Sequence, residues 1–126
     1  TRKPPASLTG APFLIERGIS LEDLTAPVKV FAGSAREAVR GFPANLNVSI
    51  ALALAGIGPD ATHVEVWADP TVTHNTHTVA VVSDSSNLTM TIENTPSLEN
   101  PRTGRITALS VIAALRRLTA PLTIGS

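Results

Sequence analysis

Along the second half of the chain, apolar and polar residues alternate with the two-residue rhythm of half-buried strands. Between His63 and Ala68, Val64, Val66 and Ala68 fall on one side and His63, Glu65 and Trp67 on the other. A second such run covers His77 to Val82. A third covers Asn87 to Glu93, where Leu88, Met90 and Ile92 alternate with Thr89, Thr91 and Glu93. The polar stretch Ser83-Asp84-Ser85-Ser86 between these two predicts a hairpin loop. Upstream, Val28 to Ala32 sets Val28, Val30 and Ala32 against Lys29 and Phe31, which predicts another strand.

Helical signals lie between and after these runs. Ser34-Ala35-Arg36-Glu37 has the spacing of a capping box and predicts a short helix from Ala35 to about Gly41, ended by Gly41 and Pro43. Asn45 to Ala55, rich in Ala and Leu, predicts a second helix with Asn45 as N-cap. Gly56 to Asp60 ends it. The string Gly56-Ile57-Gly58-Pro59-Asp60-Ala61 formally fits G-x-G-x-x-A, but it follows a helix and carries an inner Pro. The dinucleotide fingerprint needs strand, tight turn and helix, so a helix C-cap and turn is the reading here. Arg105 to Leu118 is the longest helix. Ile106, Leu109, Val111, Ile112, Leu115 and Leu118 nearly encircle it, so it is expected to be covered on more than one side, by its own sheet or by a partner.

The ends carry weaker patterns. Residues 1–27 are rich in Pro, Thr and Gly; a short strand or arm is expected first, then a loop through Gly10 to Pro12, then a helical turn at Leu21 to Leu24 capped by Ser20. Pro121 to Ile124 reads as a last short strand. Together these elements predict an α+β fold, a mostly antiparallel mixed sheet with helices packed mainly on one face, forming a single domain over residues 1–126.

Composition narrows the functional classes. Ten basic residues balance ten acidic ones, and the aromatics are three Phe and one Trp. A neutral chain without an aromatic cluster argues against a nucleic-acid role. The absence of Cys excludes disulfides and thiolate metal sites. The longest apolar stretch, Val48 to Ile57, is too short to span a bilayer, so no membrane role is expected. The chain starts at Thr1 and no cofactor loop follows, which suggests a piece of something larger.

Groups that could do chemistry gather at polar interruptions. His77 shares a face with Val79 and Val81, which places it at a strand end on the shielded side. Such a His can be a general acid/base, or simply a partly buried residue bonded to a nearby carbonyl. His74 and His77 point to opposite faces and no acidic ligand lies at short spacing, so no metal site is expected. Asp69-Pro70 reads as a turn in which the Asp bonds nearby backbone. Asn47 falls in the first turn of its helix. Ahead of the long helix, Arg102 offers a fork for carboxylate and Thr103 is a candidate N-cap.

Several short motifs occur in a specific order: Gly33-Ser34-Ala35-Arg36-Glu37-Ala38, Phe42-Pro43-Ala44-Asn45-Leu46-Asn47-Val48, Leu54-Ala55-Gly56-Ile57-Gly58, Ala68-Asp69-Pro70, Asn75-Thr76-His77 and Glu99-Asn100-Pro101-Arg102-Thr103. In this set the chain resembles the C-terminal domain of L-aspartate dehydrogenase, over essentially its whole length. The resemblance implies an N-terminal Rossmann domain, absent from this chain, that binds NAD or NADP. It implies a substrate pocket and homodimer contact supplied by the present domain, in a cytoplasmic enzyme. The reaction implied is oxidative deamination of L-aspartate, through iminoaspartate, to oxaloacetate and ammonia, with iminoaspartate able to feed NAD biosynthesis. His77 falls on the catalytic histidine and Asn47 on a dinucleotide-contacting asparagine. Arg102 and Thr103 fall on a motif for substrate carboxylate, and Asn75 lies in the substrate-binding segment beside His77. Arg102 stands where Lys is more usual, and Gly104 where Ser is common. The fragment alone is expected to be inactive. The competing expectation is a non-catalytic dimerisation or small-ligand-binding module that keeps the fold.

Overall fold

The computed structural model describes residues 1–95 and 104–121. The chain divides into two compact units, Thr1–Ile92 and Glu93–Ser126. The first holds a five-stranded sheet built from β1 (Arg2–Lys3), β2 (Val28–Ser34), β3 (His63–Ala68), β4 (Thr76–Val82) and β5 (Asn87–Glu93), in the order β2-β3-β1-β4-β5. β2 runs antiparallel to β3, β1 parallel to β3, and β4 antiparallel to β1. β4 and β5 are joined by the turn predicted at Ser83–Ser86, closed by Ser83 N donating to Ser86 O at 3.0 Å. A connection this short makes the pair antiparallel. The mixed, mostly antiparallel α+β architecture is the one that the hydrophobic pattern implies.

β3 follows its sequence pattern residue by residue: Val64, Val66 and Ala68 are buried while His63, Glu65 and Trp67 are not. β2 departs from its pattern. Val30 and Phe31 are both buried, because the register slips between Lys29 and Phe31: Lys29 pairs with Trp67 and Phe31 with Val66. One extra residue on β2 makes a bulge, and a bulge breaks strict alternation and turns two successive side chains inward.

Three helices belong to the first unit: α1 (Pro12–Glu16), α2 (Ala35–Gly41) and α3 (Asn47–Ala55). α2 has the predicted bounds and a complete capping box. Ser34 Oγ accepts from Glu37 N, and the Glu37 carboxylate accepts from Ser34 N at 2.9 Å. α2 packs on β2 and β3 and carries α1 and α3 on its flanks. The core beneath is Leu8, Leu14, Val30, Phe42, Leu46, Val64 and Val66, with small Ala residues where helix and sheet approach. All three Phe meet there. Phe13 stands edge-on to Phe31 at 5.2 Å, and Phe42 lies 5.8 Å from Phe31.

Some expected elements are corrected. The turn at Leu21–Leu24 is not helical: Asp23 takes a left-handed φ of 58°, and Ser20 Oγ only accepts from Glu22 N. The helix of this region is α1, which Pro12 starts at the end of the loop expected over Gly10 to Pro12. Asn45 is not the N-cap of α3. Leu46 holds that position, and Asn45 Nδ2 donates instead to Ser7 O at 2.8 Å, tying the α3 entry to the N-terminal segment.

In the second unit, α4 (Arg105–Arg117) begins after Gly104, which takes the N-cap position expected for Thr103. Its Ile106, Leu109, Val111, Ile112, Leu115 and Leu118 are 45–81% exposed. The strand expected at Pro121–Ile124 falls largely outside the described residues. Among the described residues, no helix is long and apolar enough to cross a membrane.

Candidate active site

The site grows from β1, a strand of only two residues. Trp67 N donates to Thr1 O at 2.9 Å and Asp69 N to Lys3 O at 2.8 Å, which inserts the N-terminal segment between β3 and β4. Arg2 pairs with Thr76 across the β1–β4 ladder. Antiparallel register then sets Thr1 opposite His77 and Lys3 opposite Asn75. Because side chains alternate along a strand, Thr1 and Lys3 share one face and Arg2 takes the other.

His77 occupies that shielded face at the start of β4, as its spacing predicts, and is 6% exposed. Its Nδ1 lies 3.0 Å from Thr1 Oγ1. Thr1 Oγ1 also donates to Thr76 O. When the hydroxyl gives its one proton to Thr76 O it accepts from His77, an arrangement with the ring proton on Nδ1 and the basic lone pair on Nε2. Burial foremost, then the nearby Lys3 ammonium, pushes the His77 pKa down to about 4. The ring is therefore neutral near pH 7.

Lys3 is the residue that sequence reasoning missed. It is 3% exposed, and burial alone pulls its pKa down to about 8. Among the described residues it has no carboxylate partner and no hydrogen bond to its ammonium. The available signal was its rarity, since Lys3 and Lys29 are the only lysines of the chain. A two-residue strand carries no periodicity that would have marked it as inward-facing.

Asn75, one residue before β4, presents a buried Oδ1 with no hydrogen-bond partner. Asp69 behaves as the turn reading anticipates: its Oδ1 accepts from Thr71 N at 2.9 Å and from Thr71 Oγ1 at 2.6 Å. Its Oδ2 accepts from Arg2 Nη1 at 2.9 Å. The Thr71 hydroxyl foremost, with help from Arg2, holds this carboxyl below the usual range. Arg2 also stacks 5.1 Å from the Trp67 ring on the opposite face of the sheet.

The structure thus brings His77 and Asn75 together and adds Thr1 and Lys3 to them. Asn47 lies at the first position of α3, exposed, and its side chain makes no hydrogen bond among the described residues. Arg102 and Thr103 lie outside the described residues. His74 is exposed and bonded to Thr73, and no group of three His, Asp or Glu gathers among the described residues.

Comparison with known proteins adds to this geometry. The family model described as "Aspartate dehydrogenase, C-terminal" matches residues 1–118. The chain is 61% identical over its full length to L-aspartate dehydrogenase 3 of Bordetella bronchiseptica, covering 46% of that protein. It is 58% identical over its full length to L-aspartate dehydrogenase of Bradyrhizobium diazoefficiens, covering 45%. Among solved structures, the aspartate dehydrogenase of Thermotoga maritima matches with a TM-score of 0.75 at 31% identity, over 98% of this chain and 44% of that one. The chain spans about half the length of the curated relatives it matches.

Proposed function

The chain belongs to the aspartate dehydrogenase family, as its C-terminal domain, and from this premise we propose that it is the substrate domain of an NAD(P)-dependent L-aspartate dehydrogenase. The observation that carries the reading is His77: a buried imidazole, kept neutral and oriented through Nδ1 at the end of a central strand. The proposed reaction is oxidative deamination of L-aspartate to iminoaspartate, then hydrolysis to oxaloacetate and ammonia.

A nicotinamide bound to the full-length protein would supply the acceptor for the substrate's hydride, its dinucleotide held mainly by the proposed Rossmann domain. Asn47 fits an accessory contact, because its side-chain amide is exposed and makes no hydrogen bond among the described residues. His77 Nε2 takes a proton from the water that attacks the imine carbon, and returns it in the reverse direction. Thr1 Oγ1 keeps the ring in the required tautomer throughout. Arg102 and Thr103 are proposed to meet a substrate carboxylate.

Homodimer formation through this domain is part of the same reading. It is supported by the exposed apolar residues of α4 and by Val81, Val82, Leu88 and Met90 on β4 and β5. A cytoplasmic location is proposed with it.

The test is L-aspartate-dependent reduction of NAD⁺ or NADP⁺ by the full-length protein. His77→Ala should lower turnover by about 10²- to 10⁴-fold with an unchanged circular dichroism spectrum. A near-normal rate in that variant removes His77 from the mechanism. No aspartate-dependent reduction of either cofactor by the wild type leaves the non-catalytic module as the better reading.

A further inference from the structure

Two groups on one face of the sheet are left unsatisfied in complementary ways. Among the described residues, Lys3 is a buried ammonium with donors and no acceptor, and Asn75 carries a buried oxygen with no donor. The β1–β4 register places the two opposite one another, as it places Thr1 opposite His77. Burying an unpaired charge costs several kcal/mol, and an orphaned carbonyl adds to that cost. A fold that keeps both beside a neutral imidazole has the makings of a binding corner completed by a third party.

That third party must accept from Lys3 and donate to Asn75 Oδ1 within the reach of one small molecule. An amino acid does both, with its carboxylate and its nitrogen. We infer that Lys3 and Asn75 form the substrate's anchoring corner beside His77, Lys3 binding a carboxylate and Asn75 Oδ1 accepting from the adjacent nitrogen. This rests on the aspartate dehydrogenase reading and extends it to a cation, Lys3, that the sequence motifs did not point to. The charged group beside His77 among the described residues is Lys3 of the β1 segment, while the neighbouring β3 presents only Val64, Val66 and Ala68 on its buried face. A carboxylate arriving at Lys3 therefore offsets a cation that opposes His77 protonation. Binding then makes the imidazole a better base at the moment it is needed.

The test uses the full-length protein and succinate, a dicarboxylate with no nitrogen and no reaction to undergo. Lys3→Met should raise the KM for L-aspartate and the succinate inhibition constant by about 10- to 100-fold, the size of a lost hydrogen bond to a charged group. The affinity for NADH or NADPH should stay within about twofold, and Lys3→Arg should recover part of the loss. A second readout needs no variant: in wild-type protein with labelled histidine, succinate should move the His77 titration upward. KM and inhibition constants within about twofold of wild type in Lys3→Met overturn the inference, as does a His77 titration indifferent to succinate. Wild-type protein that shifts its His77 titration with succinate yet oxidises no aspartate overturns the proposed reaction and leaves the carboxylate corner standing.

Discussion

Replacing Lys3 by Met should make this domain more stable, and by an amount that depends on pH. Met has nearly the volume of the Lys stem and carries no charge, so the space stays filled while the buried ammonium is removed. The drop in the Lys3 pKa from 10.5 to about 8 corresponds to a penalty of about 3 kcal/mol on the protonated form. Below pH 8 the lysine is protonated in both folded and unfolded chains, and the folded state bears the full penalty. Between about 8 and 10.5 the unfolded chain keeps the proton and the folded one releases it, so wild-type stability rises with pH. Above 10.5 both forms are neutral and the penalty is gone. Lys3→Met should therefore gain about 3 kcal/mol at pH 7, and the gain should fade by pH 10.5. At a slope of about 1.5 kcal/mol per molar urea this moves the unfolding midpoint up by about 2 M. Fluorescence of Trp67, the sole tryptophan, can follow the transition. The chain has no Tyr or Cys, and Lys29 is its only other lysine, so few other groups titrate in the window. A variant no more stable than wild type at pH 7, or a gain that stays constant to pH 10.5, would refute this account of Lys3. The expected gain would mark the natural lysine as one of the groups a protein keeps for function at a cost in stability.

His77 works in the opposite pH range. Its folded pKa is depressed from 6.5 to about 4, so between those values the unfolded chain binds a proton that the folded one refuses, and stability falls as pH drops through this window. His77 should account for a loss of about 3 kcal/mol near pH 4, read as the difference between wild type and His77→Asn in urea midpoints from pH 4 to 7. Gly41→Ala sets two effects against each other. Ala favours the helix by up to about 1 kcal/mol, but a Cβ at Gly41 would lie 2.7 Å from Phe13 Cβ. Overpacking should win, with a net destabilisation of about 1–2 kcal/mol in thermal or urea unfolding; a stabilised variant would show that α1 can shift away.

The elements legible in the sequence are those whose cause is local. β3 and β5 announce themselves by alternation, and α2 by a capping box whose two hydrogen bonds link residues three apart. The even step from His77 to Val79 and Val81 implies a shielded face; His77 is buried there, while Val81 is 47% exposed, so the shielding is confined to the start of β4. The misses share a different cause. Asn45 has the chemistry of an N-cap, but Ser7, 38 residues away, claims its amide. Val30 and Phe31 are both inward because β2 must match β3 with one residue to spare, a demand that β2 alone does not express.

What the sequence determined by itself is the set of strands and helices with local signatures, the exclusion of thiolate and disulfide chemistry, and the family to which the chain belongs. What only the tertiary structure decided is the place of the first three residues. Thr1, Arg2 and Lys3 carry no periodic signal, yet they fill the gap between β3 and β4 and put a hydroxyl and an ammonium beside His77. The partners are 76 and 74 residues apart in the chain. A contact of that range depends on how strands are ordered in the sheet, which is settled by the packing of the whole and not by any stretch of it.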